Sequence, residues 1–190
     1  MMQGSPLERL RELILSDAVI RGRVVLSSGR EADYYIDLRR VTLHHEGAPI
    51  VGHVMLEQLS AVGFGPGKID AVGGLTLGAD PIAVSLVHAA AARGRAIDAF
   101  VVRKETKEHG LQRRIEGPDV EGKRVVVVED TTTTGDSALT AVAALREAGA
   151  TVMAVAVIVD RDTGAREAIE AQGLPFFSIF RRAELGLESQ

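Results

Sequence analysis

A run of four valines followed by two carboxylates constrains the fold of this chain more than any other stretch. Val125 to Val128 are uninterrupted β-branched residues, which is typical of a strand buried on both faces of a parallel sheet. Glu129 and Asp130 follow directly, and a loop of hydroxyl-bearing residues then leads into the helical apolar spacing of residues 138–145. This order of strand, acidic turn, polar loop and helix predicts an α/β fold, in which ligands bind outside the carboxyl ends of the strands.

Length and composition set the broad class of protein. The chain has 190 residues, 46% of them hydrophobic and 25% charged, which is ordinary for a soluble globular domain with one sizeable core. The formal net charge of −4 argues against nucleic acid as the main partner. Because the chain has no cysteine, disulfides and thiolate metal sites are excluded. The N-terminus lacks a signal-peptide pattern and no apolar run has the length of a membrane span, so we expect a cytoplasmic protein without a membrane partner.

Strand and helix patterns alternate along the chain. Helical apolar spacing predicts helices at residues 6–17, 46–61, 80–93, 137–147 and 165–172. Short apolar runs predict strands at 69–72, 96–102, 124–128, 152–159 and 176–180, with a hairpin formed by 23–26 and 34–38. This alternation predicts a central parallel sheet flanked by helices. We expect a single domain, with a small N-terminal hood of about residues 1–45 and a core of about residues 46–180.

The polar loop after the two carboxylates has the chemistry of a phosphate site. Its residues are Thr131, Thr132, Thr133, Thr134, Gly135, Asp136 and Ser137. The following helix would offer backbone N–H groups and the positive end of its dipole, and a glycine permits close backbone approach. The loop matches neither the Walker A pattern nor the dinucleotide fingerprint. A cap for the helix is the alternative, but a cap needs one hydroxyl and this loop supplies five.

The two carboxylates have two possible roles. Adjacent side chains leave an extended backbone on opposite sides, so we do not expect Glu129 and Asp130 to face one bond as the acid–base pair of a glycosidase does. Beside a bound phosphate they could accept hydrogen bonds from sugar hydroxyls or hold a metal ion indirectly. The alternative is that they only complement the dipole of the following helix.

A charged loop follows the predicted strand at residues 96–102. Arg103, Lys104, Lys107 and His109 place four basic groups within seven positions of a segment that lacks apolar periodicity. Loops of such length inside compact domains are usually functional or disordered. The basic groups could neutralise a highly charged anion such as pyrophosphate, and a solvated surface loop is the alternative.

Five motifs, in a shared order, resemble one enzyme family. V-V-V-V-E-D-T-T-T-T-G-D-S at 125–137 resembles the phosphoribosyl-diphosphate signature of the type I phosphoribosyltransferases. R-K-E-T-K-E-H-G at 103–110 resembles the mobile catalytic loop of the orotate phosphoribosyltransferases. L-S-S-G-R-E-A-D-Y-Y-I-D-L-R at 26–39, G-G-L-T-L-G-A-D-P-I-A at 73–83 and V-D-R-D at 159–162 agree with the same branch.

The resemblance implies a fold, a reaction and partners. The fold would be the type I phosphoribosyltransferase fold, a parallel sheet flanked by helices beneath an N-terminal hood. The reaction would be transfer of the 5-phosphoribosyl group from 5-phosphoribosyl 1-diphosphate to orotate, a glycosyltransferase step of pyrimidine and UMP biosynthesis that yields orotidine 5′-phosphate and diphosphate. Mg²⁺ would be the cofactor, held mainly through substrate and water rather than by direct protein ligands. The enzyme would be a homodimer whose active sites are shared across the interface, with Arg103 and Lys104 on opposite sides of the boundary.

The resemblance also implies a role for each matched residue. Four would be catalytic, namely Lys104, Lys107, His109 and Asp130. The sugar diphosphate would contact Arg103, Lys104, Lys107 and His109 through its diphosphate, Glu129 and Asp130 through its ribose, and the loop from Thr131 to Ser137 through its 5′-phosphate. Orotate would bind Thr133, Arg161, Ser28, Gly29, Tyr35 and Ile36, with Arg161 facing its carboxylate.

The chain departs from the family at two places, and two other functions stay open. Many members carry lysine where this chain has Ser27, and a tyrosine–lysine pair where it has Leu77 and Gly78. A purine phosphoribosyltransferase would share the 125–137 signature but not the charged loop or the hood motif. A nucleotide-binding regulator of RNA would need a basic face, which the net charge of −4 does not favour. Arg39 and Arg40 are interpreted as interface or surface residues.

Overall fold

The structure is a computed structural model that describes residues 4–25, 31–104 and 114–187; for residues 23–25, 31 and 32 it describes the backbone alone. The helices are α1 (Pro6–Leu13), α2 (Arg39–Thr42), α3 (Gly47–Ala61), α4 (Ala79–Ala91), α5 (Asp136–Glu147) and α6 (Ala165–Glu170). The strands are β1 (Val19–Val25), β2 (Glu31–Ile36), β3 (Ala71–Leu75), β4 (Asp98–Val102), β5 (Ile115–Glu116), β6 (Arg124–Thr132), β7 (Thr151–Asp160) and β8 (Phe176–Arg181). In this part of the chain no helix has the length and apolar composition needed to cross a membrane.

The main sheet is mostly parallel, as predicted. Its strand order is β5-β4-β3-β6-β7-β8, and every neighbouring pair is parallel except β4 and β5. The chain moves from β3 to β4 on one side and later returns to place β6 on the other side of β3. The order therefore reverses between β3 and β6, and a crevice forms outside the carboxyl ends of strands at such a switch point.

The four valines of β6 explain why this strand lacks alternation. Val125, Val126, Val127 and Val128 are all fully buried. Val126 and Val128 pack with α1, α3 and α4 on one face, whereas Val125 and Val127 pack with α5 and α6 on the other. Both faces of the sheet are covered by helices, so the prediction of a strand buried on two sides is confirmed.

Several element boundaries differ from the sequence predictions. Strand β6 extends to Thr132 because it stays paired with β7 as far as Asp160, so the two carboxylates lie within the strand and not in a turn. The predicted first helix ends as α1 at Leu13 and continues as a π-helical turn, Ile14–Ala18. The hairpin strand β1 then begins at Val19, earlier than predicted, because Val19 pairs with Ile36.

The N-terminal elements are fastened to the rest of the chain by side chains. Arg9 in α1 forms an ion pair with Glu46, the residue before α3, at 2.7 Å. Tyr34 in β2 donates its hydroxyl to the carbonyl oxygen of Leu187 at 3.0 Å. These contacts fix the β1–β2 hairpin, and the end of β2 reaches the carboxyl ends of β3 and β6, where it helps to line the cleft described next.

Candidate active site

An open cleft of about 780 Å³ lies at the switch point between β3 and β6. It is lined by Tyr35, Ile36, Asp37, Arg39, Leu75, Thr76, Leu77, Gly78, Val101, Arg103, Lys104, Glu116, Glu129, Asp130, Thr131 and Ser137. These residues come from the hairpin, from the ends of β3, β4 and β6, and from the start of α5. Several distant motifs of the sequence are thereby brought to one place.

The two carboxylates of β6 converge, and the prediction that they point to opposite sides is wrong. Both lie against Gly78, since a Cβ built on this glycine would meet Asp130 Oδ1 at 2.8 Å and Glu129 Oε1 closer still. Asp130 is bent back along its own strand because its Oδ1 accepts the N–H of Thr131 at 2.7 Å. The side chains thus form one acidic pair at the floor of the cleft.

Burial makes the ionised form of this acidic pair costly. Glu129 is only 6% exposed. Burial, followed by the adjacent charge of Asp130, raises the pKa of Glu129 to about 8, and burial also raises the pKa of Asp130. Arg39 supplies a nearby positive charge that acts on Asp130, but its Nε donates to Asp37 at 2.8 Å. The pair is therefore poised to accept hydrogen bonds or positive charge from a ligand.

The loop after β6 leads into α5, and no side-chain hydrogen bond caps the first turn of this helix. Gly135 occupies the N-cap of α5 with φ of +85°, and no side-chain hydrogen bond caps this end. The Thr134 hydroxyl donates to Asp136 Oδ2 at 2.7 Å, which orders the loop, and Thr133, Thr134, Asp136 and Ser137 are exposed. The interpretation of the hydroxyls as helix caps is therefore not supported, and the helix terminus presents its N–H groups beside exposed hydroxyls.

The cleft also has a basic rim. Arg103 and Lys104 follow β4 and line the cleft, and Arg103 lies 3.6 Å from Glu116 of β5 in an ion pair. The N–H of Arg103 donates to the carbonyl oxygen of Arg114 at 2.8 Å, which closes the base of the charged loop. Lys107 and His109 lie outside the described residues.

The predicted orotate residues are divided between the cleft and its margin. Tyr35 and Ile36 line the cleft, whereas Ser28 and Gly29 lie outside the described residues. The guanidinium carbon of Arg161 lies 5.8 Å from the centre of the Tyr34 ring. The backbone N–H of Arg161 donates to the carbonyl oxygen of Thr132 at 3.1 Å.

Thr133 and Arg161 do not appear in the lining of the cleft. Thr133 lies instead within the loop from Thr131 to Ser137, where its carbonyl oxygen accepts the Thr163 hydroxyl at 2.7 Å, and Arg161 lies beside this loop.

The site residues predicted from the sequence leave out several residues that line the cleft. Arg39 was interpreted as an interface or surface residue, but it lines the cleft together with its partner Asp37. Thr76 lies across the cleft, where its hydroxyl donates to Asp80 Oδ2 at 2.7 Å. The available signal was position, because Asp37 and Arg39 follow the aromatic pair of the hood and Thr76 follows directly after β3.

Comparisons with known proteins agree with this geometry. The family described as "Phosphoribosyl transferase domain" matches residues 42–177. The orotate phosphoribosyltransferase of Streptomyces coelicolor is 61% identical over 180 residues, covering 94% of this chain and 96% of its own. A crystal structure of the Mycobacterium tuberculosis orotate phosphoribosyltransferase in complex with Fe(III) dicitrate superposes with a TM-score of 0.85 at 55% identity, covering 96% of this chain and all of the other.

A second structure of the Mycobacterium tuberculosis enzyme contains 5-phospho-alpha-D-ribosyl 1-diphosphate. It superposes with a TM-score of 0.82 at 50% identity and covers 96% of this chain and all of the other. The family match spans most of the chain, and the similar proteins share well over a third of its sequence across nearly the whole length. The chain therefore belongs to the phosphoribosyl transferase family and, within it, to the orotate phosphoribosyltransferases.

Proposed function

We propose that the switch-point cleft transfers the 5-phosphoribosyl group from 5-phosphoribosyl 1-diphosphate to orotate, giving orotidine 5′-phosphate and diphosphate. The observation that carries this proposal is the acidic pair of β6 standing directly before a hydroxyl-rich loop and an uncapped helix terminus. A ribose 5-phosphate carries hydroxyls and a dianionic phosphate a few ångströms apart. The acidic pair is complementary to the hydroxyls, and the loop and helix terminus are complementary to the phosphate.

The ribose and its 5′-phosphate would occupy the β6–α5 junction. Glu129 and Asp130 would accept hydrogen bonds from the ribose hydroxyls, which offsets the cost of their burial. The 5′-phosphate would bind the loop from Thr131 to Ser137, where helix N–H groups and exposed hydroxyls lie together.

The diphosphate would lie toward the basic rim. Arg103, which lines the cleft, would neutralise the charge that develops as the diphosphate leaves. We retain Lys107 and His109, with Lys104, as the groups that act on this leaving group, on the basis of the motif at 103–110.

Orotate would bind between the hairpin and the margin of the phosphate loop. Tyr35 and Ile36 offer a partly apolar wall on the hairpin side of the cleft. Arg161 and Thr133 lie beside the loop, where the guanidinium would pair with the orotate carboxylate. Ser28 and Gly29 complete the proposed set on the basis of the motif at 26–39.

The carboxylate and hydroxyl oxygens of the cleft suit Mg²⁺ that is bound mainly through the substrate. Carboxylate and hydroxyl oxygens are the ligands that Mg²⁺ prefers, and the buried acidic pair would be stabilised by a cation. Among the described residues no group of three acidic, histidine or cysteine side chains is arranged around one point. We retain the prediction that the ion would be held mainly through substrate and water. When bound, Mg²⁺ would neutralise negative charge on the diphosphate.

Catalysis would rest on positioning and charge stabilisation rather than on a protein nucleophile. The bond from the anomeric carbon to the diphosphate oxygen breaks as a bond to the orotate ring nitrogen forms, through an oxocarbenium-like state. The acidic pair lies where it can stabilise positive charge that develops on the ribose. Closure of the charged loop would exclude water, which otherwise hydrolyses the sugar diphosphate.

A homodimer is the assembly that best fits the exposed apolar residues. Val84 is 51% exposed on α4, and with Pro49 it lines an apolar groove of about 480 Å³ between α3 and α4. Leu77, in the cleft, and Leu43 are 66% and 71% exposed. We propose that a second copy covers these residues and contributes its charged loop to the cleft.

Subunit mixing tests this sharing. Lys107→Ala and the double variant E129Q/D130N should each be nearly inactive, but mixed subunits should regain activity because one site of each heterodimer combines an intact loop with an intact acidic pair. Val84→Asp should produce monomers in light scattering, whereas Leu7→Asp, at an exposed apolar residue of α1, should not. Exchange of subunits without recovered activity would contradict the shared site.

The reaction itself is tested by orotate absorbance with Mg²⁺ and the sugar diphosphate present. We expect orotate to be consumed and diphosphate to be released in equal amounts, with no turnover of adenine, guanine or hypoxanthine. No consumption of orotate would overturn the proposal, and turnover of a purine base would favour a purine phosphoribosyltransferase. A cytoplasmic location, the absence of a nucleic-acid partner and the division into a hood of about 1–45 and a core of about 46–180 stay predictions.

A further inference from the structure

Arg39 is a cation of the cleft with unused hydrogen-bond donors. It begins α2, just after the hairpin, and its side chain lines the cleft. Its Nε donates to Asp37 Oδ1 at 2.8 Å, and within residues 4–25, 31–104 and 114–187 its guanidinium makes no other hydrogen bond. A guanidinium carries five N–H groups, so the four on the two terminal nitrogens remain for a ligand.

The charge of Arg39 acts on two sides of the cleft. It attracts Asp130 of the acidic pair, and it also interacts with Tyr35 of the hairpin. Both of these residues line the cleft. The Arg39 side chain is 43% exposed, so the guanidinium reaches the open space of the cleft and is not enclosed in the core. It therefore lies near both the hairpin wall and the acidic pair.

The stereochemistry of the sugar diphosphate decides which of its groups lies beside the acidic pair. In the α-anomer, the diphosphate oxygen on the anomeric carbon lies on the same face of the ribose ring as the 2′- and 3′-hydroxyls. Acids that accept these hydroxyls therefore lie toward the face from which the diphosphate leaves, whereas orotate attacks from the opposite face to give the β-linked nucleotide. A cation that acts on Asp130 is accordingly placed for the diphosphate rather than for orotate.

A diphosphate beside two acids needs positive charge on that side of the cleft. The β3 side, residues 75–78, carries no charged side chain, and Asp80 of α4 adds a negative charge near the acidic pair. The planar fork of an arginine matches two oxygens of a phosphate group, and charge-assisted hydrogen bonds of this kind are strong. Arg39 offers such a fork next to the acidic pair.

We propose that Arg39 is a further binding residue for 5-phosphoribosyl 1-diphosphate, with its terminal N–H groups donating to the diphosphate. Asp37 is the positioning residue that holds the guanidinium at the cleft through Nε. The inference rests on the proposed function and adds to it a cation that comes from α2 rather than from the charged loop.

Arg39→Gln is the direct test, because glutamine removes the charge and keeps a polar side chain. Calorimetric titrations with Mg²⁺ compare 5-phosphoribosyl 1-diphosphate with orotidine 5′-phosphate, which has the ribose 5-phosphate and the orotate ring but no diphosphate. We expect the Kd of the sugar diphosphate to rise about 10- to 100-fold, the loss of one or two charge-assisted hydrogen bonds, and the Kd of the nucleotide to change by less than about threefold. An unchanged Kd of the sugar diphosphate would overturn the proposal, and so would an equal rise in both Kd values, which assigns Arg39 to ribose or orotate.

Arg40→Gln is the matched control. Arg40 is the next residue of α2, is exposed, and is not among the residues that line the cleft. The substitution removes the same charge from the same helix, so both Kd values should stay within about twofold of the wild type. Equal effects of the two substitutions on the Kd of the sugar diphosphate would indicate a general effect of net charge and contradict a direct contact.

Asp37→Asn tests the positioning role through a double-mutant cycle. On its own it should raise the Kd of the sugar diphosphate about 3- to 10-fold, because the guanidinium is no longer held by a carboxylate. In the Arg39→Gln background it should raise this Kd by less than about twofold. Equal factors in the two backgrounds would contradict a role of Asp37 through Arg39.

A substitute ligand separates this inference from the proposed function. If the wild type binds the sugar diphosphate but consumes a purine base instead of orotate, the proposed function fails. Ribose 5-phosphate then replaces orotidine 5′-phosphate in the comparison, which still decides the role of Arg39. If the wild type does not bind the sugar diphosphate in the presence of Mg²⁺, both proposals fail.

Discussion

Both ends of strand β6 carry charged side chains, but only at the amino end do hydrogen bonds to a group of opposite charge stabilise them. At the amino end, Arg124 donates to Asp70 through its backbone N–H, Nε and a terminal guanidinium nitrogen at 2.8–3.0 Å. These hydrogen bonds lower the pKa of Asp70 to about 2. At the carboxyl end, burial, followed by the adjacent charge of Asp130, raises the pKa of Glu129 to about 8. The amino end is paired within the fold, whereas the carboxyl end places two buried carboxyl groups in the cleft.

The difference follows from what surrounds each end. Asp70 and Arg124 are partly exposed and paired with each other, so solvent and hydrogen bonds stabilise both charges. Glu129 lies in a cleft, where burial first, and then the neighbouring charges of Asp130 and Asp80, oppose its ionisation. Perturbed acids of this kind in a cleft are characteristic of functional sites.

Neutralising both acids at the carboxyl end should have the largest effect. We expect E129Q/D130N to lower kcat/KM for the sugar diphosphate by about 100-fold or more, since two charge-assisted hydrogen bonds to ribose are lost. Steady-state kinetics with orotate held in excess would measure this. Asp70→Asn, at the other end of the sheet, should change kcat/KM by less than about twofold.

Asp70→Asn should affect thermal stability more than activity. Asp70→Asn breaks a partly exposed ion pair and should lower the Tm by about 2–4 °C, the effect of about 1 kcal/mol in a chain of this length. A large loss of activity in Asp70→Asn without a fall in Tm would remove the distinction between the two ends.

The phosphate loop should show a smaller effect. Ser137→Ala removes an exposed hydroxyl at the start of α5 and should raise the KM for the sugar diphosphate about 3- to 10-fold, the cost of one neutral hydrogen bond. Thr140→Ala is the control, because its hydroxyl donates to the carbonyl oxygen of Asp136 within the same helix at 2.8 Å. Equal effects of the two substitutions on this KM would argue against a phosphate at the helix terminus.

The dependence of stability on pH should have opposite signs at the two ends. Because the pKa of Glu129 is raised in the folded state, its contribution is fully present below pH 4.5 and is lost as the pH rises toward about 8. Because the pKa of Asp70 is lowered, its contribution is present above pH 3.8 and is lost as the pH falls toward about 2.

Denaturant unfolding between pH 2 and pH 9 would separate these contributions. Glu129→Gln should flatten the decline on the alkaline side and raise stability at pH 8–9, whereas Asp70→Asn should flatten the decline on the acid side. A Glu129→Gln profile that is parallel to the wild type from pH 5 to pH 9 would contradict the raised pKa.

Most of the fold was predictable because burial patterns are local in the sequence. The uninterrupted valines of β6 predicted a two-sided strand, and the structure buries all four. The convergence of Glu129 and Asp130 was not predictable, because alternation along a strand fixes where side chains leave the backbone but not where their ends meet. They meet beside Gly78, which is distant in the sequence and close only in the folded chain. Arg39 was missed for the same reason, since its partner Asp37 is local but its position on the cleft is tertiary.

The most direct measurement is a crystal structure of this protein with Mg²⁺ and 5-phosphoribosyl 1-diphosphate. The predicted result places ribose hydroxyls within about 2.6–3.2 Å of the Glu129 and Asp130 carboxylates and the 5′-phosphate at the N-terminus of α5. A sugar diphosphate bound elsewhere, or a ribose whose hydroxyls touch neither carboxylate, would contradict the assignment of the carboxyl end of β6 as the active site.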